Sequence, residues 1–286
     1  MPGLISLVVS TYNQPKYLRL CLNALMHQTD SNFEILVADD GSKEATKAVV
    51  DAAAAASPVS LRHVWHEDKG FRLAAIRNRA AVRASGDYLI FMDGDCLAPP
   101  DFIATHRALA QKSWHVIGQR VFMAEPFTKE LLAMQVEPGA ATPRFTWRFP
   151  NFAEHFMKRD INRLLPFLLK LPASGSLARF RTRNPKALRK ILHGCNWGIW
   201  TEDYAAVNGF DEAFEGWGAE DTDLAIRLAN HGLGIKLGTC CNYVLHMWHK
   251  PNYATKTFEE RKTKLIEDRL ASGSCLPVKG MNPPHD

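Results

Sequence analysis

The first hundred residues switch repeatedly between two hydrophobic periods, and that rhythm limits the fold more than any other feature. "LISLVVS" (4–10) is a near-continuous apolar run, as a strand buried on both faces would be. "PKYLRLCLNALMHQ" follows, with Leu18, Cys21, Leu22 and Leu25 on one helical face and Pro15 suited to the first turn. The same exchange recurs in "FEILVADD" then "KEATKAVVDAAAAA", in "SLRHVWHE" then "GFRLAAIRNRAAVRAS", and in "GDYLIFMDGD". Alternation of this kind predicts an α/β protein with a parallel sheet and helices on both faces. Such sheets bind ligands at the carboxyl ends of their strands. Those ends carry Thr11-Tyr12-Asn13, Asp39-Asp40-Gly41-Ser42 and Asp93-Gly94-Asp95.

Beyond Pro99 the pattern is less regular. "PPDFIATHRALAQK" reads as a helix and "HVIGQRVFM" as one strand. "IKLGTCCNYVLHMWHKPN" reads as one or two strands, "TFEERKTKLIEDRLAS" as a polar helix, and the last residues as a frayed tail. The expected organisation is a first half (1–124), a basic, partly helical insertion (125–192), a second half (193–270) and a flexible tail (271–286).

Charge is unevenly spread. The chain of 286 residues has a net charge of +5, yet residues 144–190 hold twelve Lys or Arg against Glu154 and Asp160. That segment carries +10 and leaves the rest near −5, which points to an anionic partner. Phe149, Phe152, Phe156, Leu164, Leu165, Phe167, Leu168 and Leu169 are interleaved with the charges, as an interfacial segment requires. A core-packed insertion with a solvated basic face is the competing reading. No motif for nucleic-acid binding accompanies the charge, and no nucleic-acid partner is expected. No basic n-region precedes the first apolar run, and no stretch nears the eighteen or so apolar residues of a spanning helix. The expected location is the cytoplasm, with the basic segment a candidate contact to the inner membrane face. Six cysteines without a CxxC pair read as reduced thiols.

Two acidic corners stand out. Asp93-Gly94-Asp95 closes an apolar strand, and two carboxylates at i and i+2 on a bending chain can face one Mg²⁺ or Mn²⁺ ion beside substrate phosphates. A tight Asp-Gly turn explains the same residues without a metal. "EGWGAEDTDLAIRL" (215–228) sets Glu220, Asp221 and Asp223 after a Trp-Gly corner at a helix start. Acids there complement the helix dipole, which accounts for the helix but not for Trp217. A carboxylate of Asp39-Asp40 could accept the imide N–H of a uracil ring with Tyr12 covering the base, or Asp39 to Ser42 could be a turn and a helix cap through Ser42. His246 and His249 in "LHMWHK" could add a nitrogen ligand or a phosphate donor. Dinucleotide, P-loop and nucleophile-elbow motifs are absent.

In order and spacing, "VVSTYN" (8–13), "ADDGS" (38–42), "DKGFRLAAIRN" (68–78) and "FMDGDC" (91–96) resemble a family 2 glycosyltransferase. "NGFDEAFEGWGAEDTDLAIRL" (208–228) is similar to the galactosyltransferase carboxyl-terminal region, as in the β-1,4-galactosyltransferases and chondroitin-polymerase-like bacterial enzymes. The resemblance covers most of residues 4–249 but not 125–192. It implies a GT-A fold: a Rossmann-like, mixed, mostly parallel sheet with helices on both faces. It implies a UDP-sugar donor, Mn²⁺ or Mg²⁺ as cofactor, and an inverting transfer of a hexose or N-acetylhexosamine to a glycan or lipid-linked glycan, in bacterial surface polysaccharide or lipopolysaccharide assembly. By matching position, Thr11, Tyr12 and Asp40 line the uracil pocket, Arg77 approaches the nucleotide, and Asp93 lies near ribose and metal. Asp95 ligates the metal, with His246 or His249 as a late ligand. Asp221 is the general base, Glu220 contacts the acceptor, and Trp217 is a mobile-loop residue over donor and acceptor. The surroundings of Trp197, Trp200 and Trp217 are expected to set the sugar and acceptor. A sugar-nucleotide nucleotidyltransferase and a non-catalytic glycan-binding protein are the alternatives. The first lacks its Gly-rich, Lys/Arg-bearing loop, since "STYNQPKY" follows strand one; the second leaves a full set of acids unexplained.

Overall fold

The computed structural model describes residues 1–134, 149–165, 173, 182–183, 192, 194–250 and 256–281. The predicted alternation is present: β1 (Ile5–Thr11), α1 (Pro15–Leu25), β2 (Phe33–Asp39), α2 (Glu44–Ala56), β3 (Leu61–Trp65), α3 (Leu73–Val82) and β4 (Tyr88–Asp93). β5 (Cys96–Leu97), α4 (Phe102–Leu109), β6 (Trp114–Ile117), β7 (Gln119–Phe122), α5 (Glu125–Ala133), α6 (Phe149–Met157) and β8 (Thr182–Arg183) follow. The last elements are β9 (Asn196–Trp200), α7 (Thr201–Ala206), α8 (Glu220–Asn230), β10 (Gly234–Leu237), β11 (Tyr243–His246) and α9 (Lys256–Ser272).

Among the described residues the main sheet runs β3-β2-β1-β4-β9-β6-β10-β8. β1, β2, β3 and β4 are mutually parallel, as are β6 and β10, while β9 lies antiparallel between β4 and β6. All seven residues of β1 are buried, which explains its unbroken apolar run. Ile5, Leu7 and Val9 meet Leu18 and Leu22 of α1 and Val50 of α2 on one face. Val8, Leu36 and Phe91 meet Ile76 of α3 and Leu224 and Leu228 of α8 on the other. Each such aliphatic side chain, fully buried, contributes roughly 1.5–3 kcal/mol of transfer free energy.

Three expectations are corrected. "HVIGQRVFM" is two strands in two sheets, because the chain breaks at Gly118. A Cβ there would fall 2.1 Å from the Asn196 amide, so the backbone of Gly118 passes directly against that side chain. β7 then joins β5 and β11 in a second sheet of order β5-β11-β7. The tail is also not free through residue 281. Asp211 accepts hydrogen bonds from the backbone N–H groups of Val278 (2.7 Å) and Lys279 (3.1 Å), and Met281 is buried in the core. Ser42 does not cap α2: Lys43 holds the cap position, and Ser42 Oγ accepts the Asn13 N–H at 2.8 Å.

The described part of the insertion is packed, with Phe127, Leu131, Phe152 and Ile161 buried in one cluster with Leu97, Val121 and Leu245. Phe156 and Leu165 are exposed. Most of the basic stretch, with Phe167, Leu168 and Leu169, lies outside the described residues. All six cysteines are free thiols. No helix among the described residues is long and apolar enough to cross a membrane.

Candidate active site

β1 lies between β2 and β4, so successive crossovers leave it in opposite directions and open a crevice at the strand ends. A cavity of about 870 Å³ occupies that crevice, lined by Thr11, Tyr12, Asp40, Asp93, Asp95, Trp217, His246 and His249 among others. The strand ends singled out in the sequence therefore do converge.

At one end, Tyr12 is 44% exposed and donates its hydroxyl to Asp68 at 2.9 Å. Asp40 is buried; Oδ1 lies 2.5 Å from His66 Nε2, and Oδ2 accepts the Arg72 N–H at 2.8 Å. Asp39 turns away to the Ser42 N–H and His63 and takes no part in the lining. Gly41 between them has φ +94°, and a Cβ there would overlap Asp68 Cα at 2.5 Å, so only glycine admits this approach of two loops.

At the centre lies Arg77, carried inward by α3 and 1% exposed. Its Nη2 lies 2.9 Å from Asp93 Oδ1, its Nη1 3.2 Å from Asp221 Oδ1 and 3.6 Å from Glu220 Oε1, and its Nε donates to Ser10 Oγ at 3.1 Å. One guanidinium thus joins both acidic corners. Burial disfavours its charge, but Asp221, Asp93 and Glu220 outweigh that and hold its pKa above the ordinary value. Asp221 Oδ2 also accepts the Gly194 N–H at 2.8 Å. A Cβ on Gly194 would meet Arg77 Nη2 at 2.6 Å, so this contact too requires glycine.

Glu220 opens α8 beside Asp221. Burial first, then the Asp221 charge, lift its carboxyl to about 7, with Arg77 opposing. Glu220 Oε2 is buried without a hydrogen-bond partner among the described residues. The turn before α8 is strained: Gly216 and Gly218 have φ of +80° and +90°, and Ala219 adopts φ +73°. A left-handed alanine costs about 1–2 kcal/mol, a cost tolerated where the surroundings fix the backbone. Trp217 projects from this turn, 51% exposed, into the cavity.

On the other flank, β5 and β11 run antiparallel with Cys96 opposite His246. This brings Asp95 Oδ1 to 3.6 Å from His246 Nε2 and Oδ2 to 3.2 Å from His249 Nε2, with all three donors within 4.8 Å of one another. The His249 hydrogen bond to Asp95 raises the imidazole pKa to about 8. Burial would raise the Asp95 pKa, but the two histidines hold it below the ordinary value. Burial raises Asp93, with Arg77 opposing and Asp95 reinforcing. The two acids of the Asp-Gly-Asp corner therefore face different partners. A carboxylate with two imidazoles is a mixed oxygen and nitrogen donor set, which suits Mn²⁺ better than Mg²⁺.

Trp197 does not belong to the site. It is fully buried in β9, stacked on Phe91 at 4.9 Å with its indole N–H donated to His115 Nδ1 at 3.0 Å. Trp200 is likewise core, against Tyr88. Phe122 and Trp248 line the cavity instead. The sequence reading missed them, together with Gly194 and His66; alternation along 119–122 was the available signal for Phe122.

This fold is that of the GT-A glycosyltransferases, with acidic strand ends and a candidate cation site at one crevice and an acidic helix start tied to them through Arg77. The chain belongs to glycosyl transferase family 2, whose model matches residues 6–207; the model described as the N-terminal domain of galactosyltransferase matches residues 178–250. Among curated relatives it is 31% identical over 258 residues to validoxylamine A glucosyltransferase of Streptomyces hygroscopicus subsp. jinggangensis (strain 5008), covering 82% of this chain and 54% of that protein. It is 27% identical over 251 residues to Escherichia coli chondroitin synthase, covering 80% and 32%. The chain thus spans about half or less of the length of these relatives. Of solved structures, S. aureus TarS 1–349 in complex with UDP-GlcNAc gives a TM-score of 0.61 at 16% identity, covering 99% of this chain and 68% of that one. Mannosyltransferase PcManGT from Pyrobaculum calidifontis, in complex with GDP-Man and Mn²⁺, gives 0.57 at 19% identity, covering 95% and 64%.

Proposed function

We propose that the chain is an inverting, metal-dependent glycosyltransferase that moves a hexose or N-acetylhexosamine from a UDP-sugar to a glycan acceptor. The observation that carries this reading is Arg77, which ties Asp93 beside the candidate cation site to Glu220 and Asp221 at the acidic helix start. Arg77 thus sets the two corners side by side, as a displacement with a leaving group on one side and a nucleophile on the other demands.

Tyr12 offers a ring to the uracil, and Asp40 retains lone pairs for its imide N–H, since a carboxylate accepts about four hydrogen bonds. Asp95, His246 and His249 would hold the divalent ion, which when bound supplies Lewis-acid stabilisation of the diphosphate leaving group. Arg77 holds Asp221 in place and balances its charge. Asp221 then takes the proton of the acceptor hydroxyl as its oxygen bonds to the anomeric carbon, and the bond from that carbon to the diphosphate breaks on the opposite face. The result is inversion. Glu220, through its unpaired Oε2, is the acceptor-side hydrogen-bonding group. Trp217 closes over both substrates.

The nucleotide in one related structure and the curated glycosyltransferases support this reading over a nucleotidyltransferase. The basic composition of residues 144–190 supports a peripheral contact with an anionic membrane surface, tested by salt-sensitive retention on anionic but not neutral vesicles. The central test is release of UDP from a UDP-sugar panel with Mn²⁺ and with EDTA. Pyrophosphate release, or binding without turnover for every donor and acceptor, would overturn the proposal.

A further inference from the structure

Among the described residues, the cavity wall contains one arginine whose charge no other group of the site uses. In β7, Val121 points into the apolar cluster with Leu97 and Leu245, so Arg120 and Phe122 share the opposite, cavity-lining face. The carboxylates lining the cavity are already matched: Asp40 to His66 and the Arg72 N–H, Asp93 to Arg77, and Asp95 to the two histidines. Among the described residues, the Arg120 side chain makes no ion pair or hydrogen bond. Its guanidinium lies 4.5 Å from the centroid of the Phe122 ring, and Phe122 is itself 41% exposed. A guanidinium has five N–H donors arranged as a fork that fits an oxyanion. Stacking on a ring leaves that edge free.

The sheet order and register say how far this fork lies from the cation site. Tyr12 and Asp40 follow β1 and β2 of the main sheet. Asp95, His246 and His249 gather at β5 and β11. β7 is the next strand out, beyond β11 from β5. Arg120 and Phe122 line the same cavity as Asp95, His246 and His249, so a sugar held beside the cation site lies near them. Arg120 pairs with Val244 and Phe122 with His246, so Arg120 is displaced along the strand from the cation site by two residues, about 7 Å.

We propose that Arg120 and Phe122 form a subsite for an acidic sugar, with the Phe122 face against the ring and the Arg120 fork on a carboxylate or phosphate ester. This rests on the donor reading above and deepens it, by naming an anionic glycan component as the preferred substrate class. The acid lies on the transferred sugar or on the acceptor, and the two are separable.

The experiment is calorimetry on the whole chain with Mn²⁺, comparing wild type with Arg120→Met, which keeps an apolar stem on Phe122, and Arg120→Lys. One arm compares UDP-glucuronate with UDP-glucose. The other, with UDP present, compares uronate-bearing or phosphate-bearing oligosaccharides with neutral ones of equal length. UDP alone is the control for the diphosphate. The expected result is that wild type prefers the acidic member in one arm, that Arg120→Met loses about tenfold or more of that preference, and that Arg120→Lys falls between. UDP affinity should be the same in all three proteins. A tenfold loss of affinity for UDP itself would assign Arg120 to the diphosphate and overturn the proposal. So would a wild type without acidic preference in either arm. A wild type that binds no UDP would instead overturn the donor reading, and this inference with it.

Discussion

Arg77 Nη1 lies 3.2 Å from Asp221 Oδ1, although 144 residues separate them in the chain. With Asp93 and Glu220 on the same guanidinium, three carboxylates share one buried cation. Removing it leaves uncompensated charge, which typically costs about 3–5 kcal/mol. Arg77→Met is therefore expected to lower the urea midpoint sharply at pH 7 and less at pH 5, as the carboxyl groups take up protons. An equal deficit at both pH values would mean that packing, not charge balance, is what Arg77 supplies.

Glu220 gives a pH dependence of defined sign. Its carboxyl is raised from 4.5 to about 7 in the folded chain. The folded state thus holds this proton more tightly than the unfolded state. The contribution is flat below about pH 4.5, falls as pH rises to about 7, and is flat again above. The whole fall is at most about 3 kcal/mol. In EDTA, Glu220→Gln should match wild type near pH 4.5 and exceed it in denaturant unfolding at pH 8 by roughly 1–3 kcal/mol. Equal stability at pH 8 would show that Arg77 compensates Glu220 in full.

The parallel core was legible because β1 to β4 are apolar runs with little competing signal. The cavity lining was legible at the strand ends, as at Asp40, Asp93 and Asp95. It was not legible where tertiary packing decides. Trp197 and Trp217 carry the same side chain, and only the antiparallel insertion of β9 between β4 and β6 buries one while the Gly216–Gly218 turn exposes the other. The sequence placed Arg77 near the nucleotide but gave no sign of its burial. Its position on α3, with buried Asn78 beside it, makes it an internal tie between the acidic corners.

Behind the acidic helix start lies a second buried network. Arg269 donates to Asp223 Oδ1 at 2.7 Å and to Asp211 Oδ2 at 2.8 Å, while Arg227 holds Asp223 Oδ2 at 2.6 Å. It anchors α9 and residues 274–281 to the first turn of α8. Arg269→Met should cost about 3–5 kcal/mol of stability. In conditions where the variant is folded, turnover should fall more than UDP affinity, since Asp40 and Asp95 lie on other elements. An equal loss of both would make the network a general stabiliser only.

Asp95 is the shared partner of His246 and His249. Asp95→Ala should abolish the Mn²⁺-dependent part of UDP binding, and His249→Ala should weaken it by at least about tenfold. Titration of UDP with and without Mn²⁺ measures both. Unchanged metal dependence in Asp95→Ala would place the ion elsewhere.

The last expectation separates the two acidic corners by the kind of loss each produces. Asp221 is one-quarter exposed at its side chain, held by Arg77 on one oxygen and by the Gly194 N–H on the other. Asp221→Asn keeps the shape but sets an amide N–H₂ against one of these donors and cannot take a proton. Loss of a positioned base costs about 10²–10⁴ in rate, whereas ground-state binding need not change. The Asn variant should therefore bind UDP and Mn²⁺ within about twofold of wild type and transfer sugar at least about a hundredfold more slowly. Glu220→Gln should instead raise the acceptor KM more than it lowers kcat, since its proposed role is a hydrogen bond. If Asp221 only supports the first turn of α8, behind the cap residue Ala219, the loss of its charge should leave turnover nearly intact. Near-normal turnover by a folded Asp221→Asn protein would then remove it as the base and leave Glu220, with its unpaired oxygen, as the remaining carboxylate at that corner.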